Sequence, residues 1–511
     1  GNNSLFRNNQ DGTFGDRAED EGLVSPGSNS RSAGWFDFDN DGDSDLLLQN
    51  QEGLYLFENN NGSFADVSDK AGLGGEHHTT GLGFGDYNND GFLDFYAVRY
   101  DGANYFYSNN GDGTFTNRTG KLRLWETNSN SAAAHFCDYD LDGDQDILLI
   151  NHTQNHKLFR NNGNDTFTSV EEAMGLTGGG NGHDAVIFDY NNDGRLDFYI
   201  INSKPHAWIN TLYRNDGDGF TITTEEAGLA DEGDGTSAVC GDFDNDGYMD
   251  LYVVNWDDGN VLYHNNGDGT FSDITENYDM RIHKSAQGVA LFDCDNDGDL
   301  DIYAVHEYFR NYFFVNTGTL NNWCQLELKG TVSNADAIGS IVTLYHGGQF
   351  TTQLLDGSPG FLSQSSKILH FGLGTSTTVD SVIILWPSGI RQHVTGISAN
   401  QRNAIVEDKS LVAVNQIAEK IPTEFELFQN YPNPFNPATT IRFGLPKQTL
   451  VHLTVVNLLG QEIEDLVNKV MPQGFHEIQL NAASYPSGMY FYRLECPDEQ
   501  YVQTKKLLLL K

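Results

Sequence analysis

The chain has 511 residues, a length that at roughly 100–200 residues per domain suggests about three folded units. Its 29 Lys and Arg stand against 72 Asp and Glu, and a formal charge of -43 repels nucleic-acid phosphates and anionic lipid headgroups, which excludes polyanions as partners. Such acidity can mark disorder, but 12% aromatic residues and 55 glycines point instead to a folded, all-β chain of short strands and tight turns.

The first element, NSLFRNNQDGTF at residues 3–14, reads as a β-hairpin, with Asn/Gly turn chemistry between alternating apolar flanks. A nonapeptide then recurs six times: DFDNDGDSD at 37–45, DYNNDGFLD at 86–94, DYDLDGDQD at 138–146, DYNNDGRLD at 189–197, DFDNDGYMD at 242–250 and DCDNDGDLD at 293–301. Successive copies start 49, 52, 51, 53 and 51 residues apart. Each is followed by a strand-like run such as DLYVVN, then in most units by a hairpin such as NVLYHNNGDGTF at 260–271, then by a small-residue stretch such as GTSAVCGDF that leads into the next copy. Four short strands per unit predict one blade of a β-propeller, because such a sheet cannot bury both faces alone and must stack on neighbours around an axis. The hairpin at 3–14 is the second half of a unit. Counting back one 51-residue period from Asp37 starts that unit about 15 residues before Gly1, room for a loop and a strand, so a seventh loop is expected upstream. Seven blades are therefore expected over residues 1–320, with six as the alternative if the hairpin completes the unit begun at Asp293.

Beyond residue 320 the period stops. A second β-rich domain is expected over 321–407, a linker over 408–424 (DKSLVAVNQIAEKIPTE), and a small immunoglobulin-like sandwich of alternating strands over 425–511. Pro432, Pro434 and Pro437 preclude regular structure near its start. Cys137, Cys240, Cys294, Cys324 and Cys496 are odd in number and form no CxxC pair, so neither a disulfide framework nor a zinc site is expected, only small buried thiols. No run approaches the roughly 18 apolar residues of a membrane span, and GNNSLFRNNQ at the start holds no signal-peptide core. Any export signal is expected to have been removed or never included.

The nonapeptide has the chemistry of a calcium loop. Carboxylates or amides stand at position 1 (Asp37, Asp86, Asp138, Asp189, Asp242, Asp293), position 3 (Asp39, Asn88, Asp140, Asn191, Asp244, Asp295), position 5 (Asp41, Asp90, Asp142, Asp193, Asp246, Asp297) and position 9 (Asp45, Asp94, Asp146, Asp197, Asp250, Asp301). These wrap oxygens around one centre, and a hard cation taking six to eight oxygens suits them, calcium over magnesium. Position 7 varies among Asp43, Phe92, Asp144, Arg195, Tyr248 and Asp299, so its backbone carbonyl is read as the ligand. The glycine at position 6 supplies the sharp turn. An EF-hand is rejected, because position 12 holds Leu48, Ala97, Leu149, Ile200, Val253 and Ala304 in place of a bidentate Glu. Asp, Asn and Gly also form turns without metal, but six copies at one spacing favour about six Ca2+ sites. Counted over nine residues, loop charge is -5 at 37–45, 138–146 and 293–301 and -2 at 189–197, so the first three are expected to fill first and the last to fill last.

On these motifs, residues 1–320 resemble the FG-GAP/VCBS calcium-loop propellers, which include the integrin α-subunit head. Segment 321–407 resembles the ASPIC/UnbV domain through NWCQLELKG, AIGSIVTLY, SPGFLSQSS, LHFGLG and ILWPSG, a pairing with a propeller found also in animal cartilage acidic protein. Segment 425–511 resembles the type IX secretion C-terminal sorting domain through QNYPNPFNP, NLLGQE, SGMYFYRL and KKLLLLK. That tail implies a Gram-negative bacterium, handling by the type IX machinery, passage across the outer membrane and a place at the cell surface, usually with removal of the tail.

No GxSxG, HExxH, GxxxxGK[ST] or CxxC motif is present, so no catalytic residue is assigned and no enzyme is expected. His77, His78, His152, His156 and His183 fall in or beside connections between units and are read as solvated loop histidines, with ligand recognition as the alternative. Trp125, Trp208 and Trp256 fall near the same connections, as packing residues or as a platform for sugars, and Trp386 and Phe371 are expected in the core of the second domain. The expected function is binding or adhesion to a glycan or protein ligand. The alternatives are a polysaccharide-active propeller enzyme and a structural surface-layer component.

Overall fold

Apolar runs of five or six residues bounded by Asp and Asn fold as the buried second strand of each unit. Asp250–Asn255 is one of them, buried along its whole length. Here and below the molecule is a computed structural model that describes residues 3–509 apart from 24–29, 51, 74–78, 125–129, 178–180, 205–208, 319, 359–360, 412–424, 429, 431–434, 436, 448, 458–460, 472–473, 483–484 and 498–500. Asp250–Asn255 pairs antiparallel with Gly235–Gly241 on one side and Val261–Asn265 on the other, and Phe271–Asp273 completes the sheet. The same four-stranded order starts at Ser32, Gly81, Ser131 and Gly182, and a three-stranded sheet runs from Ala286 to Phe314. The first strand of each sheet packs on the first strand of the next, so the sheets follow one another round a common axis as in a propeller. Apolar side chains fill the space between neighbours. Phe36 of one sheet stacks on Phe84 of the next with ring centroids 4.5 Å apart.

The hairpin Phe6–Asn8 and Phe14–Asp16 stands as its own two-stranded sheet, and the unit begun at Asp293 has its own third strand, Tyr312–Phe314. The hairpin therefore does not supply the third strand of that unit.

The second domain is built from two sheets. Asn322–Lys329 pairs antiparallel with Leu369–Gly374 and parallel with Arg402–Val406, while Ile341–His346 lies between Gln349–Leu354 and Ser381–Leu385. Phe371 and Trp386 are buried in its core beside Leu326, Leu344 and Ile384, and the Trp386 indole N–H donates to Gln392 Oε1 at 3.0 Å. Glu407 closes the domain: its Oε2 accepts the N–H groups of Thr331, Val332 and Ser333 at 2.7, 2.7 and 2.8 Å. Residues 1–415 form one compact unit and 416–511 another. In the latter, a sheet of Glu426–Leu427, Ala438–Leu445 and Gly474–Asn481 and one of four strands ending in Tyr501–Leu509 enclose a core that includes Leu453, Tyr492 and Leu507. Near the start of this unit, Asn430 N–H donates to the Tyr492 hydroxyl at 2.8 Å and Phe435 N–H to Leu508 O at 3.0 Å, while Pro432 and Pro434 lie outside the described residues.

Candidate metal centres and the domain that covers them

Each nonapeptide is closed by its own first and last carboxylates. In the third loop Asp138 accepts the N–H groups of Asp142 and Gly143 at 2.9 and 2.8 Å, and Asp146 accepts those of Tyr139 and Asn161 at 3.4 and 2.7 Å. The other five loops repeat the pattern, as with Asp242 and Gly247 (2.7 Å) or Asp301 and Cys294 (2.8 Å). Two residues per loop take left-handed backbone. Glycine at position 6 has φ between 86° and 98°, as the turn required, and position 4 has φ between 53° and 62° at Asn40, Asn89, Leu141, Asn192, Asn245 and Asn296.

Within this frame the remaining carboxylates converge. Ligand oxygens of Asp37, Asp39 and Asp41 lie within 4.8 Å of one another, as do those of Asp138, Asp140 and Asp146 and those of Asp242, Asp244 and Asp246. Burial, reinforced by the neighbouring aspartates, pushes Asp138 up to about 8 and Asp189 to about 7, and holds Asp146 and Asp94 well above the ordinary carboxylate range. A divalent cation at the centre would offset that cost, and hard oxygen donors on a turn this tight would fit calcium. Two further donors join. His264 groups with Asp244 and Asp250, and the Cys294 thiol with Asp295 and Asp301, and neither belongs to the aspartate pattern.

Position 7 side chains turn away from the centre, as a carbonyl ligand requires. Phe92 and Tyr248 lie against the hairpin glycines Gly111 and Gly267, and Arg195 lies against Gly217. Asp43 accepts the Asn61 N–H at 2.8 Å and Asp144 the Asn89 amide at 3.1 Å. Without position 7, the carboxylates at positions 1, 3, 5 and 9 number four at 37–45, 138–146, 242–250 and 293–301 and three at 86–94 and 189–197, where Asn88 and Asn191 stand.

A second recurring residue had been read only as hairpin turn chemistry. Asn109, Asn161, Asn215 and Asn265 end the third strands and Asn316 lies two residues past the end of its own, and each donates its side-chain amide to the position 2 carbonyl of the preceding loop: Phe38, Tyr87, Tyr139, Tyr190 and Phe243, at 2.7–2.9 Å. These amides latch one sheet to the next. Asn8 makes the same bond to Cys294 O at 3.0 Å.

The second domain sits on this loop face. Gln325 donates to Asp293 at 2.8 Å, Arg402 to Asn296 at 2.9 Å and Thr351 to Gly247 O at 3.0 Å, while Asp336 accepts the Asp37 N–H at 2.8 Å and pairs with Lys367 at 2.6 Å. The approach is close enough to demand glycine, since a Cβ on Gly298 would lie 1.8 Å from the Trp323 ring. From the same domain, residues 361–366 reach the innermost strands. Gln364 bonds both the N–H (2.7 Å) and the carbonyl (3.1 Å) of Trp35 in the first sheet, and Ser363 and Ser365 accept the N–H groups of Val289 and Leu291, both at 3.1 Å, in the last. Asp356 meets His135 at 3.5 Å, and the other nitrogen of His135 lies 3.2 Å from Asp184, which also accepts the Ser237 hydroxyl at 2.7 Å. His135, Asp184 and Ser237 carried no signal in sequence, standing singly inside apolar strands.

The loop histidines differ from expectation. His156 is buried and accepts the Asn151 N–H at 3.2 Å, and burial lowers it to about 4. His183 packs between His152 and Phe361, at 4.8 and 5.0 Å, and burial lowers it to about 3. Both are packed, neutral side chains because the connections fold back onto the inner strands. Trp256 is half-buried. His77, His78, Trp125 and Trp208 lie outside the described residues.

Comparison with known proteins follows the same division. Residues 330–412 match the family "ASPIC and UnbV", and residues 429–509 match the "Secretion system C-terminal sorting domain". The tail directs the chain through the type IX system to the cell surface or beyond. No described helix is long and apolar enough to cross a membrane. Cartilage acidic protein 1 of Mus musculus is 25% identical over 279 residues, 51% of this chain and 42% of that protein, and its Xenopus tropicalis counterpart is 28% identical over 262 residues, 48% of this chain and 40% of that protein. The chain thus spans about two fifths of the length of these curated relatives. The solved structure of PorZ, an essential bacterial surface component of the type-IX secretion system of Porphyromonas gingivalis, aligns over 95% of this chain and 83% of its own at 13% identity, with a TM-score of 0.16 from which no functional comparison follows. The "FG-GAP-like repeat" matches at 1–48, 37–97, 86–149, 138–200, 189–253 and 242–304 together cover more than half of the 511 residues, and the chain belongs to that family.

Proposed function

We propose that the chain is a calcium-loaded, seven-bladed propeller that binds a glycan or protein ligand at the outer surface of a Gram-negative bacterium and catalyses no reaction. The observation that carries the calcium reading is the convergence of three carboxylates within 4.8 Å in loops 37–45, 138–146 and 242–250. Seven blades are supported by Asn8, whose bond to Cys294 O puts the first hairpin where the third and fourth strands of a further blade stand. The two sheets around the Leu453 and Tyr492 core support a sandwich, immunoglobulin-like tail. Binding is favoured over catalysis because His156 and His183, two of the histidines beside the connections, are held neutral by packing. The test is retention on glycan and surface-protein arrays with calcium and with EGTA, alongside assay for released saccharide. Calcium-dependent retention without release is expected. Release of shortened saccharide would make the protein an enzyme, and retention indifferent to EGTA would remove calcium from the function.

A further inference from the structure

A cavity of about 170 Å³ lies between the innermost strands and the second domain, walled by His135, Asp184 and Ser237 on one side and Asp356, Ser358 and His370 on the other. For scale, an apolar cavity of about 150 Å³ accepts one benzene ring and stays dry. This one is not apolar. Ser358, 8% exposed, has a buried hydroxyl with no partner among the described residues, and His370, 4% exposed, has a buried Nδ1 with none among them. The role of that nitrogen follows from its ring's other bond. Asn245 spends its amide on Gly298 O and Asp299, so its Oδ1 accepts from His370 Nε2 at 2.6 Å, and Nδ1 is left as an acceptor. Asp184 and Asp356 share the single ring of His135, so the wall keeps an excess of negative charge and disfavours an anionic guest. Val186, Val239 and Leu291 supply an apolar face. The guest must donate to an imidazole, exchange a hydrogen bond with a hydroxyl, carry no negative charge and lay C–H groups on aliphatic side chains, which a neutral polyol meets.

We propose that this cavity binds one neutral, polyhydroxylated six-membered ring, a single sugar residue. The assignment rests on the glycan-binding reading above and places it inside the channel. The test is titration of the full, calcium-loaded chain with free neutral hexoses and N-acetylhexosamines by calorimetry and saturation-transfer NMR, for the wild type, Ser358→Ala and His370→Gln, with melting temperatures as the control for folding. Ser358→Ala removes no intramolecular bond and is expected to melt as the wild type does. One saturable site is expected, weakened about tenfold by Ser358→Ala, the loss of one hydrogen bond to a buried ligand hydroxyl. If immobilised glycans are retained equally by wild type and Ser358→Ala, the channel site is wrong and the glycan reading stands. If neither arrays nor free sugars bind, the glycan reading falls and the site with it. Ordered water alone in crystals soaked with the sugars likewise overturns the site.

Discussion

Asn161→Ala measures what holds one blade to the next. The side chain is 2% exposed and makes three hydrogen bonds: Nδ2 to Tyr87 O in the preceding loop at 2.7 Å and to Gln145 O in its own at 3.2 Å, and Oδ1 from Gly163 N–H at 3.1 Å. At about 1 kcal/mol net per bond, plus about 1 kcal/mol for a carbonyl stranded away from water, the loss is about 3–4 kcal/mol. Asn59 is the internal reference. It occupies the same position in the first sheet, is only half-buried, and bonds Ser44 O at 2.9 Å and Gly62 N–H at 2.7 Å, both within its own unit. Asn59→Ala is therefore expected to cost about 2 kcal/mol, and the difference of about 1–2 kcal/mol is the inter-sheet latch. Urea titrations of both variants and the wild type at saturating calcium, compared through their midpoints, give the two losses. Equal losses would refute the latch, as would an Asn161→Ala loss below about 1 kcal/mol.

Excess EGTA is expected to lower the melting temperature of residues 1–415 as one transition, second domain included, because Gln325, Arg402 and Asp336 are bonded to the loops, while residues 416–511 melt as before; calorimetry that finds the second domain unmoved would contradict the docking. Asp140→Asn is expected to weaken calcium at the third loop about tenfold or more, and Asp144→Asn by less than about threefold, because Asp144 turns out to Asn89; calorimetric titration separates them, and equal effects would return position 7 to the ligand set. Burial alone would raise the Glu407 carboxyl, but hydrogen bonds from Ser388 and from the N–H groups of Thr331, Val332 and Ser333 outweigh it and leave its pKa below the usual 4.5. The stability this contributes is present above that value and is lost as pH falls through the lower, folded one. Glu407→Gln should therefore cost about 1–2 kcal/mol near neutrality, with the gap to wild type closing in acid, and a gap constant with pH would show that the charge plays no part. Deleting residues 416–511 is expected to leave a folded protein that its host does not export to the surface, and surface display of that truncation would contradict the sorting role.

The nonapeptide was legible because a cation cage needs donors at fixed offsets within nine residues, and local geometry of that kind is written locally. The strands after it were legible from their continuous apolar runs. The latch was half visible: Asn109, Asn161, Asn215, Asn265 and Asn316 recur in register, but their partners lie 71 to 76 residues back, and a recurrent Asn beside Gly reads first as a turn former. The polar chain His135, Asp184 and Asp356 was invisible, since each member stands alone and becomes meaningful only when strands from different units meet. His156 and His183 misled for the converse reason. They sit in connections, and connections are usually wet, but these fold back onto the inner strands and bury them.

The bond between Trp35 and Gln364 joins residues 329 apart, and Ser363 and Ser365 reach from the same stretch to the sheet at the other end of the repeat array. In the order in which a ribosome releases it, the whole array therefore exists before this second tie between its two ends, the first being Asn8 to Cys294 O. Until residue 366 has emerged, the first and last sheets lack their common partner, and the inner edges at Trp35, Val289 and Leu291 stay open to water or to a chaperone. Closure is thus a late and long-range step, slow by its contact order.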